Sequence, residues 1–356
     1  MNLPNSLVDF LTHGGKKRLH VHPITNGLIH QTYRIDIDEE CSLLQSINTS
    51  VFSDPSGLIQ NHRALYHHFS TPDCPFNHPL AKPLPFDQDQ WLFTDETGQP
   101  WRRCAFIANT HTKANIESPE QAEALAEFFA RFTRHASTIG QTSWHVPLPG
   151  FHNLRMRFDQ FEQAIRSDLA GRKKDRRELI EALTTRIRYV EFFDRMTKSN
   201  LHPLRMMHHD AKLSNVLIDA RTEEWCCPID LDTVMPGYFF SDIGDMVRSI
   251  CNGASEEDST DVKTPFGSEL YEALLQGYRK GMQGVLTEAE QMQLDLAGVL
   301  MTYMQTMRFL TDHLNGDLYY RTAYPEQNLL RAQNQFRLLE QMETYLGDRL
   351  FRTLHA

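Results

Sequence analysis

The hydrophobic periodicity of the chain changes near residue 109, and this change restricts the fold more than any other feature. Before it, apolar and polar residues alternate at 19–22 and 32–37, as they do in half-buried strands. After it, apolar residues recur at helical spacing, as at 119–132. The pattern predicts an α+β fold in which a small β-rich part is followed by a larger α-helical part, with the join at 106–109.

Turn and capping signals mark the other predicted elements. Asp54 before Pro55 starts a helix, and Thr287 with Glu290 forms a capping box ahead of a long helix that ends at Asn315. The remaining predicted elements are strands at 43–47, 90–93 and 101–107, and helices at 54–69, 155–168, 178–197 and 328–346. We therefore divide the chain into two domains, residues 1–107 and residues 108–356.

Composition and charge exclude several classes of function. The net charge is −10, with 46 acidic against 36 basic residues, so we expect no nucleic-acid partner. Apolar runs are far shorter than the roughly 18 residues that a membrane span needs, and no secretion signal is visible. The six cysteines form no C-x-x-C pair, and no zinc-binding pattern emerges. Reduced thiols and a cytoplasmic location, without membrane association, are the predictions.

The most informative stretch is HHDAKLSN at 208–215, which contains the pattern H-x-D-x-x-x-x-N. The D-x-x-x-x-N part alone should occur about once by chance in a chain of this length, and the preceding histidine makes a chance match rare. Further along the chain, the sequence IDLD at 229–232 places two acids directly after an apolar strand. The two stretches together indicate phosphoryl transfer.

Phosphoryl transfer explains why these residue types occur together. Asp210 can accept the proton of an attacking hydroxyl, and Asn215 with Asp230 can hold Mg²⁺, which prefers oxygen ligands. Lys212 can offset the charge that develops on the transferred group. Asp232 has two interpretations: it joins a second metal ion, or it holds the loop.

The loop at 208–215 resembles the catalytic loop of the protein-kinase-like superfamily, with Asp230 at the place of its metal-binding aspartate. Protein kinases themselves match poorly, since Leu231 and Asp232 replace Phe-Gly and no A-P-E segment is present. The wider sequence resembles the aminoglycoside/choline kinase branch and, within it, the N-acetylhexosamine 1-kinase group. The matching blocks are NGLIHQTY (26–33), LQSINT (44–49), IDLDTVMPG (229–237), DIGD (242–245), RFLTD (308–312) and GDLY (316–319).

This resemblance implies a bilobal protein-kinase-like fold in which ATP binds between the lobes and magnesium is required. It implies phosphate transfer to the anomeric hydroxyl of N-acetylglucosamine or N-acetylgalactosamine, by a monomer or small homo-oligomer. Asp210, Arg308 and Tyr319 are then the expected sugar contacts. The expected nucleotide contacts lie in the first domain and are Gly27, His30, Thr32, Gln45, Phe106 and Ile107.

Two rival functions remain open. The acceptor could instead be choline, homoserine or an aminoglycoside; a cationic acceptor would need an acid-lined pocket, whereas a neutral sugar needs mixed hydrogen-bonding groups and an aromatic face. Gln45 occupies the place of the strand lysine of protein kinases, which is the argument for a nucleotide-binding pseudokinase. Asp242 also has two interpretations: it caps a helix, or it accepts hydrogen bonds from the catalytic-loop backbone.

Overall fold

The computed structural model describes residues 3–25, 29–140, 144–253 and 265–355. Its contacts divide the chain into two compact units. Unit 1 comprises Met1–Lys113, Thr138–Pro149 and Ser214–Met235, and unit 2 comprises Ala114–Ser137, Gly150–Leu213 and Pro236–Ala356. Both units are discontinuous along the chain, so the domains predicted at 1–107 and 108–356 stay a prediction.

The longer strands lie in the N-terminal part of the chain and most helices follow them, as predicted, but four short strands between residues 205 and 237 lie among the helices. The strands are β1 Leu19–Ile24, β2 Gln31–Ile37, β3 Glu40–Ser46, β4 Pro83–Leu84, β5 Phe93–Thr94, β6 Pro100–Ala105, β7 Thr110–His111, β8 Arg205–Met207, β9 Val216–Asp219, β10 Trp225–Pro228 and β11 Met235–Gly237. The helices are α1 Asn5–Leu11, α2 Pro55–His68, α3 Pro119–Ala136, α4 Leu154–Ser167, α5 Arg177–Thr184, α6 Arg188–Lys198, α7 Phe240–Ile250, α8 Ser268–Gly281, α9 Glu288–Gln293, α10 Leu296–Asn315, α11 Gln327–Leu346 and α12 Asp348–His355.

Unit 1 contains an antiparallel sheet in the order β1-β2-β3-β6-β4, with β5 also paired to β6. The register places Thr32 of β2 opposite Gln45 of β3, and Gln45 opposite Arg102 of β6. Directly opposed residues of neighbouring antiparallel strands point to the same face of a sheet. The sheet therefore presents these three polar side chains in one row.

The apolar residues of the sheet form the core of unit 1. Alternation along β2 and β3 turns Ile35 and Leu44 inward, and both are fully buried. The cluster also includes residues of α1 and β6: its members are Leu3, Leu7, Leu11, Tyr33, Ile35, Ile37, Leu44, Phe86, Phe93 and Trp101. This core fixes the sheet face on which the polar row lies.

Unit 2 is built around α10, which packs against α4, α7 and α11. Most residues of α10 are buried, as expected of a helix that is apolar on all sides. Helices α3 and α8 pack closely because Gly277 and Gly281 of α8 face the backbone of α3 at Glu123 and Glu127. Glycine is required where two helix backbones approach in this way.

Strand β8 leads into the loop that contains Asp210, and a buried ion pair anchors it. Arg205 of β8 donates to both carboxylate oxygens of Glu290, at 2.5 and 2.8 Å. The same carboxylate accepts the backbone N–H of Thr287, while the Thr287 hydroxyl accepts that of Glu290, which completes the predicted capping box. The start of α9 thus fixes the entry to the loop.

Three predicted elements differ from the structure. The helix predicted at 178–197 is divided into α5 and α6, and the long helix after the capping box is divided into α9 and α10. At both breaks the backbone makes tighter i→i−3 hydrogen bonds, such as that from the N–H of Ile187 to the oxygen of Thr184. Of the strand predicted at 90–93, Phe93 alone lies in a strand. Among the described residues, no helix combines the length and apolarity needed to cross a membrane.

We predict that Gly277→Ala destabilises the protein by about 1–3 kcal/mol, the usual cost of overpacking. An added Cβ would meet the carbonyl oxygen of Glu123 and lie 2.8 Å from its carbonyl carbon. Alanine gains up to about 1 kcal/mol of helix propensity over glycine, so the clash outweighs the gain. Urea unfolding measures the difference.

Gly140→Ala is the matched control, because nothing lies within 4 Å of an added Cβ there. Its free energy of unfolding should stay within about 0.5 kcal/mol of the parent. If the two variants are equally stable, α3 and α8 can move apart to make room for the added methyl group without a loss of stability.

Candidate active site

The loop that contains Asp210 follows β8 in unit 2. The Asp210 carboxylate forms an ion pair with Nζ of Lys212, at 2.9 Å. His209, directly before it, has a positive φ of 65°, a backbone conformation that costs a side-chain-bearing residue free energy. The structure thus brings the two predicted catalytic residues together on a loop whose backbone must be held in place.

Asp242 in the first turn of α7 holds this backbone. Its fully buried carboxylate accepts the backbone N–H groups of His208 at 2.9 Å and His209 at 2.7 Å. It also accepts the hydroxyl of Thr133 at 3.2 Å. Of the two interpretations of Asp242, the structure shows the one in which it binds the loop.

A second carboxylate, Asp245, lies one turn further along α7. Burial raises its pKa, and the nearby charge of Asp210 adds to this effect, whereas Arg248 opposes it. Arg248 forms an ion pair with Asp245 at 2.8 Å. The positive charges of Lys212 and Arg248 therefore offset the negative charges of Asp210, the candidate base, and of its neighbour Asp245.

The two predicted magnesium ligands lie in unit 1. The backbone oxygen of Asn215 accepts the N–H of Ile229, at 2.9 Å, so the segments bearing Asn215 and Asp230 run side by side. Asp230 adopts a positive φ of 60°. Among the described residues no group of three or more histidine, cysteine, aspartate or glutamate side chains could hold a metal. An amide and a carboxylate oxygen nevertheless fit Mg²⁺, which usually keeps waters and substrate phosphates as its other ligands.

Asp232, the third predicted metal ligand, is buried and paired with protein groups. Arg102 donates to both of its carboxylate oxygens, at 2.5 and 2.6 Å, and Nε2 of His30 donates to one of them at 2.7 Å. Burial opposes ionisation, but these two partners hold the pKa of Asp232 well below its usual value. The structure therefore favours the second interpretation, in which Asp232 holds the loop.

The polar row on the sheet continues from this ion pair. Nε of Arg102 donates to the Gln45 amide oxygen at 3.0 Å, and the Gln45 amide donates to the Thr32 hydroxyl at 3.1 Å. The N–H of Asn48 donates to Nδ1 of His30 at 3.1 Å. Because Nδ1 accepts, the ring proton lies on Nε2, which faces Asp232. The structure thus brings His30, Thr32 and Gln45 together, and their part in nucleotide binding stays a prediction.

The other predicted nucleotide contacts are placed differently. Gly27 lies outside the described residues. Phe106 and Ile107 are half-buried and belong to the connection between β6 and β7. The ring of Phe106 lies 5.2 Å from the guanidinium of Arg34. Their part in nucleotide binding stays a prediction.

Arg308 of α10 lies among aromatic rings in unit 2. Its guanidinium lies 5.0 Å from the ring centre of Phe151 and 5.6 Å from that of Tyr320, and it donates to the Gln305 side chain at 2.9 Å. The predicted sugar contact Tyr319 is 63% exposed and meets Tyr320 edge-on, with the ring centres 4.9 Å apart. Of the two adjacent tyrosines, the one that contacts Arg308 is therefore Tyr320 and not the predicted Tyr319.

Positive charge accumulates around Arg308. Burial, followed by repulsion from Arg308, lowers the pKa of Arg157 to about 10. Burial also lowers the pKa of His152 well below its usual value, and His209, Arg308 and Arg157 add to this shift. Among the described residues no carboxylate forms an ion pair with Arg308 or Arg157. In the described part of the chain the group is therefore cationic and aromatic, and neither arginine is paired with an acid.

A model of the phosphotransferase enzyme family matches residues 20–287, more than half of the chain. Solved phosphotransferases share the fold at low identity. An aminoglycoside phosphotransferase from Alicyclobacillus acidocaldarius is 14% identical, with 100% of this chain and 98% of that chain covered and a TM-score of 0.60. A spectinomycin phosphotransferase solved with ADP and spectinomycin is 10% identical, with 96% of this chain and 99% of that chain covered and a TM-score of 0.59. A microcompartment-associated aminopropanol kinase is 12% identical, with 98% of this chain and 100% of that chain covered and a TM-score of 0.58. The predicted protein-kinase-like α+β fold is confirmed.

We predict that Asp242→Ala lowers the free energy of unfolding by about 3 kcal/mol or more, since hydrogen bonds to charged groups contribute about 1.5–3 kcal/mol each. The N–H groups of His208 and His209 would also exchange hydrogen faster, because they lose their acceptor. Urea unfolding and hydrogen exchange measure the two effects.

Asp219→Ala is the control, because the Asp219 carboxylate also accepts two backbone N–H groups, those of Arg221 and Thr222, in an exposed turn. Its effect on stability should be much smaller, and exchange at His208 and His209 should not change. Unchanged exchange in the Asp242 variant would mean that another group holds the loop.

Proposed function

Because this chain belongs to the phosphotransferase enzyme family and is therefore a small-molecule kinase, we propose that it phosphorylates the anomeric hydroxyl of an N-acetylhexosamine. N-acetylglucosamine and N-acetylgalactosamine are the proposed acceptors, and ATP is the donor. The sequence blocks shared with the N-acetylhexosamine 1-kinase group support the sugar. The products are the sugar 1-phosphate and ADP.

The setting of Arg308 is the observation that carries this choice. Choline and aminoglycosides are cationic, and a site that binds them needs acids or exposed aromatic faces to hold the positive charge. Here the rings of Phe151 and Tyr320 already contact a guanidinium, and Arg157 adds a second one. A cationic acceptor would be repelled, whereas a neutral sugar can accept hydrogen bonds from Arg308 and stack on an aromatic ring.

Asp210 acts as the base in the proposed reaction. The anomeric oxygen forms a bond to the γ-phosphorus of ATP, the bond from that phosphorus to ADP breaks, and the hydroxyl proton passes to Asp210. An anomeric hydroxyl is more acidic than an ordinary alcohol, so a carboxylate is basic enough to take its proton late in the step. Lys212, 2.9 Å from that carboxylate, orients it.

Asn215 and Asp230 would hold Mg²⁺. When bound, the ion neutralises charge on the β- and γ-phosphates. His30, Thr32 and Gln45, together with Gly27, Phe106 and Ile107, are the proposed nucleotide contacts. All six cysteines are free thiols, the state expected in a reducing compartment, and we propose a cytoplasmic location on that ground. A monomer or small homo-oligomer is the proposed assembly.

We predict that incubation with MgATP and N-acetylglucosamine or N-acetylgalactosamine yields a sugar 1-phosphate. Phosphorylation at C1 removes the reducing end, whereas phosphorylation at C6 leaves it intact. A reducing-end assay and the phosphorus–proton couplings of the product identify the position.

Asp210→Asn is the control for this experiment. It should reduce turnover by at least about 10²–10⁴-fold, the usual contribution of a general base, and leave ATP binding in place. Phosphate on another carbon, or rapid phosphorylation of choline, homoserine or an aminoglycoside with neither sugar accepted, would refute the proposed acceptor.

We further predict that Arg308→Gln raises the KM for the sugar by about 10- to 100-fold, the loss expected for a charge-assisted hydrogen bond. The KM for ATP should stay nearly constant. Arg166→Gln, which removes an exposed arginine of α4, should leave both constants unchanged. Equal effects of Arg308→Gln on the two substrates would argue against a sugar contact.

A further inference from the structure

The chain lacks both partners of an ion pair that protein kinases require. In those enzymes a lysine on the third strand pairs with a glutamate on the following helix, and the lysine contacts the ATP phosphates. Here the strand position is Gln45, and α2 contains no aspartate or glutamate. A glutamine donates hydrogen bonds to phosphate oxygens but brings no charge. A cation at this place would have to come from another residue.

Arg102 supplies that cation from the neighbouring strand. It lies directly opposite Gln45 in the register of β3 and β6, and its Nε donates to the Gln45 amide oxygen at 3.0 Å. The residue is only 5% exposed. Burial of an arginine without an anionic partner would strongly destabilise the fold. The role of Arg102 therefore depends on the acid with which it pairs.

That partner is Asp232, in the short 3₁₀ helix Leu231–Thr233 that directly follows Asp230. A bidentate arginine–carboxylate pair fixes orientation as well as distance. His30 donates to the same carboxylate at 2.7 Å. The ion pair therefore connects the polar row of the sheet to the turn whose first residue is the candidate metal ligand.

Helix α2 contributes a neutral group instead of an acid. Nε2 of His62 contacts the backbone oxygen of Ala81 at 2.9 Å. Burial, followed by the positive charge of Arg102, lowers the pKa of His62 to about 4. His62 therefore places no competing charge beside the ion pair at neutral pH.

We propose that Arg102 is a positioning residue for magnesium–nucleotide binding, in place of the missing strand lysine. It acts through Asp232, whose pairing sets the orientation of Asp230, and it places positive charge beside Gln45. This inference rests on the proposed role of Asp230 as a magnesium ligand. It assigns a function to an arginine that the catalytic motifs do not include.

The test measures ATP affinity against Mg²⁺ concentration for purified full-length variants, together with kcat and KM. Arg102→Gln removes the charge, and Arg102→Lys keeps the charge but not the bidentate geometry. The double variant Gln45→Lys/Arg102→Gln moves the cation back to β3, where lysine reaches further than glutamine into the space that the guanidinium leaves. Arg103→Gln, at the next position of the same strand, is the matched control.

We expect Arg102→Gln to weaken Mg²⁺-dependent ATP affinity about 10- to 100-fold, the usual effect of losing a group that orients a metal ligand. Arg102→Lys should fall between this variant and the parent. The double variant should recover most of the loss, although it carries more substitutions. Arg103→Gln should bind MgATP like the parent, whatever its effect on stability.

Two outcomes would overturn the proposal: Arg102→Gln binding MgATP as tightly as Arg103→Gln, or no recovery in the double variant. If Arg102→Gln does not fold, Asp232→Asn breaks the same pair from its other side and should give the same loss of Mg²⁺ dependence. The binding readout needs no acceptor, so failure of the sugar assignment and failure of this proposal are distinguishable.

Discussion

The cost of burying a carboxylate governs two segments, the loop beside Asp210 in unit 2 and the turn beside Asp230 in unit 1. An ionised acid removed from water must find charged or hydrogen-bonding partners, or it destabilises the fold by several kcal/mol. Asp242 finds its partners in the backbone of the catalytic loop, and Asp232 finds them in Arg102 and His30. The need to satisfy these two acids therefore shapes the backbone beside Asp210 and beside Asp230.

Both segments also contain a residue in the left-handed region, His209 and Asp230. Such a conformation costs of order 1–3 kcal/mol for a residue with a side chain and persists only where the surroundings enforce it. Gly237 contributes to this enforcement, because an added Cβ there would lie 2.5 Å from Nε2 of His209. Buried acids and close packing together maintain a backbone that the isolated loops would not adopt.

The sequence predicted what depends on local pattern. Periodicity and capping residues located β1, β2, β3, β6, α2, α3 and the capping box of α9, and the spacing of Asp210, Asn215 and Asp230 supplied the hypothesis for the chemistry. Prediction from the sequence failed where the surroundings of a side chain depended on strand register or on tertiary packing. The role that we propose for Arg102 depends on its position opposite Gln45 in the neighbouring strand. Tyr320 rather than Tyr319 contacts Arg308 because of how the chain turns after α10. The feature of the sequence that could have drawn attention to Arg102 is the occurrence of two adjacent arginines in an otherwise apolar strand.

The ion pair of Arg102 has a consequence for regulation. Protein kinases are switched off when the helix bearing the glutamate swings away and separates it from the strand lysine. Here both partners lie outside α2: one on β6, the other in the turn after Asp230. An effector that displaced α2 would therefore act on this pair only indirectly, through the packing of α2 against the 3₁₀ helix that bears Asp232. The pairing that we propose for nucleotide binding thus does not depend on an acidic residue of α2.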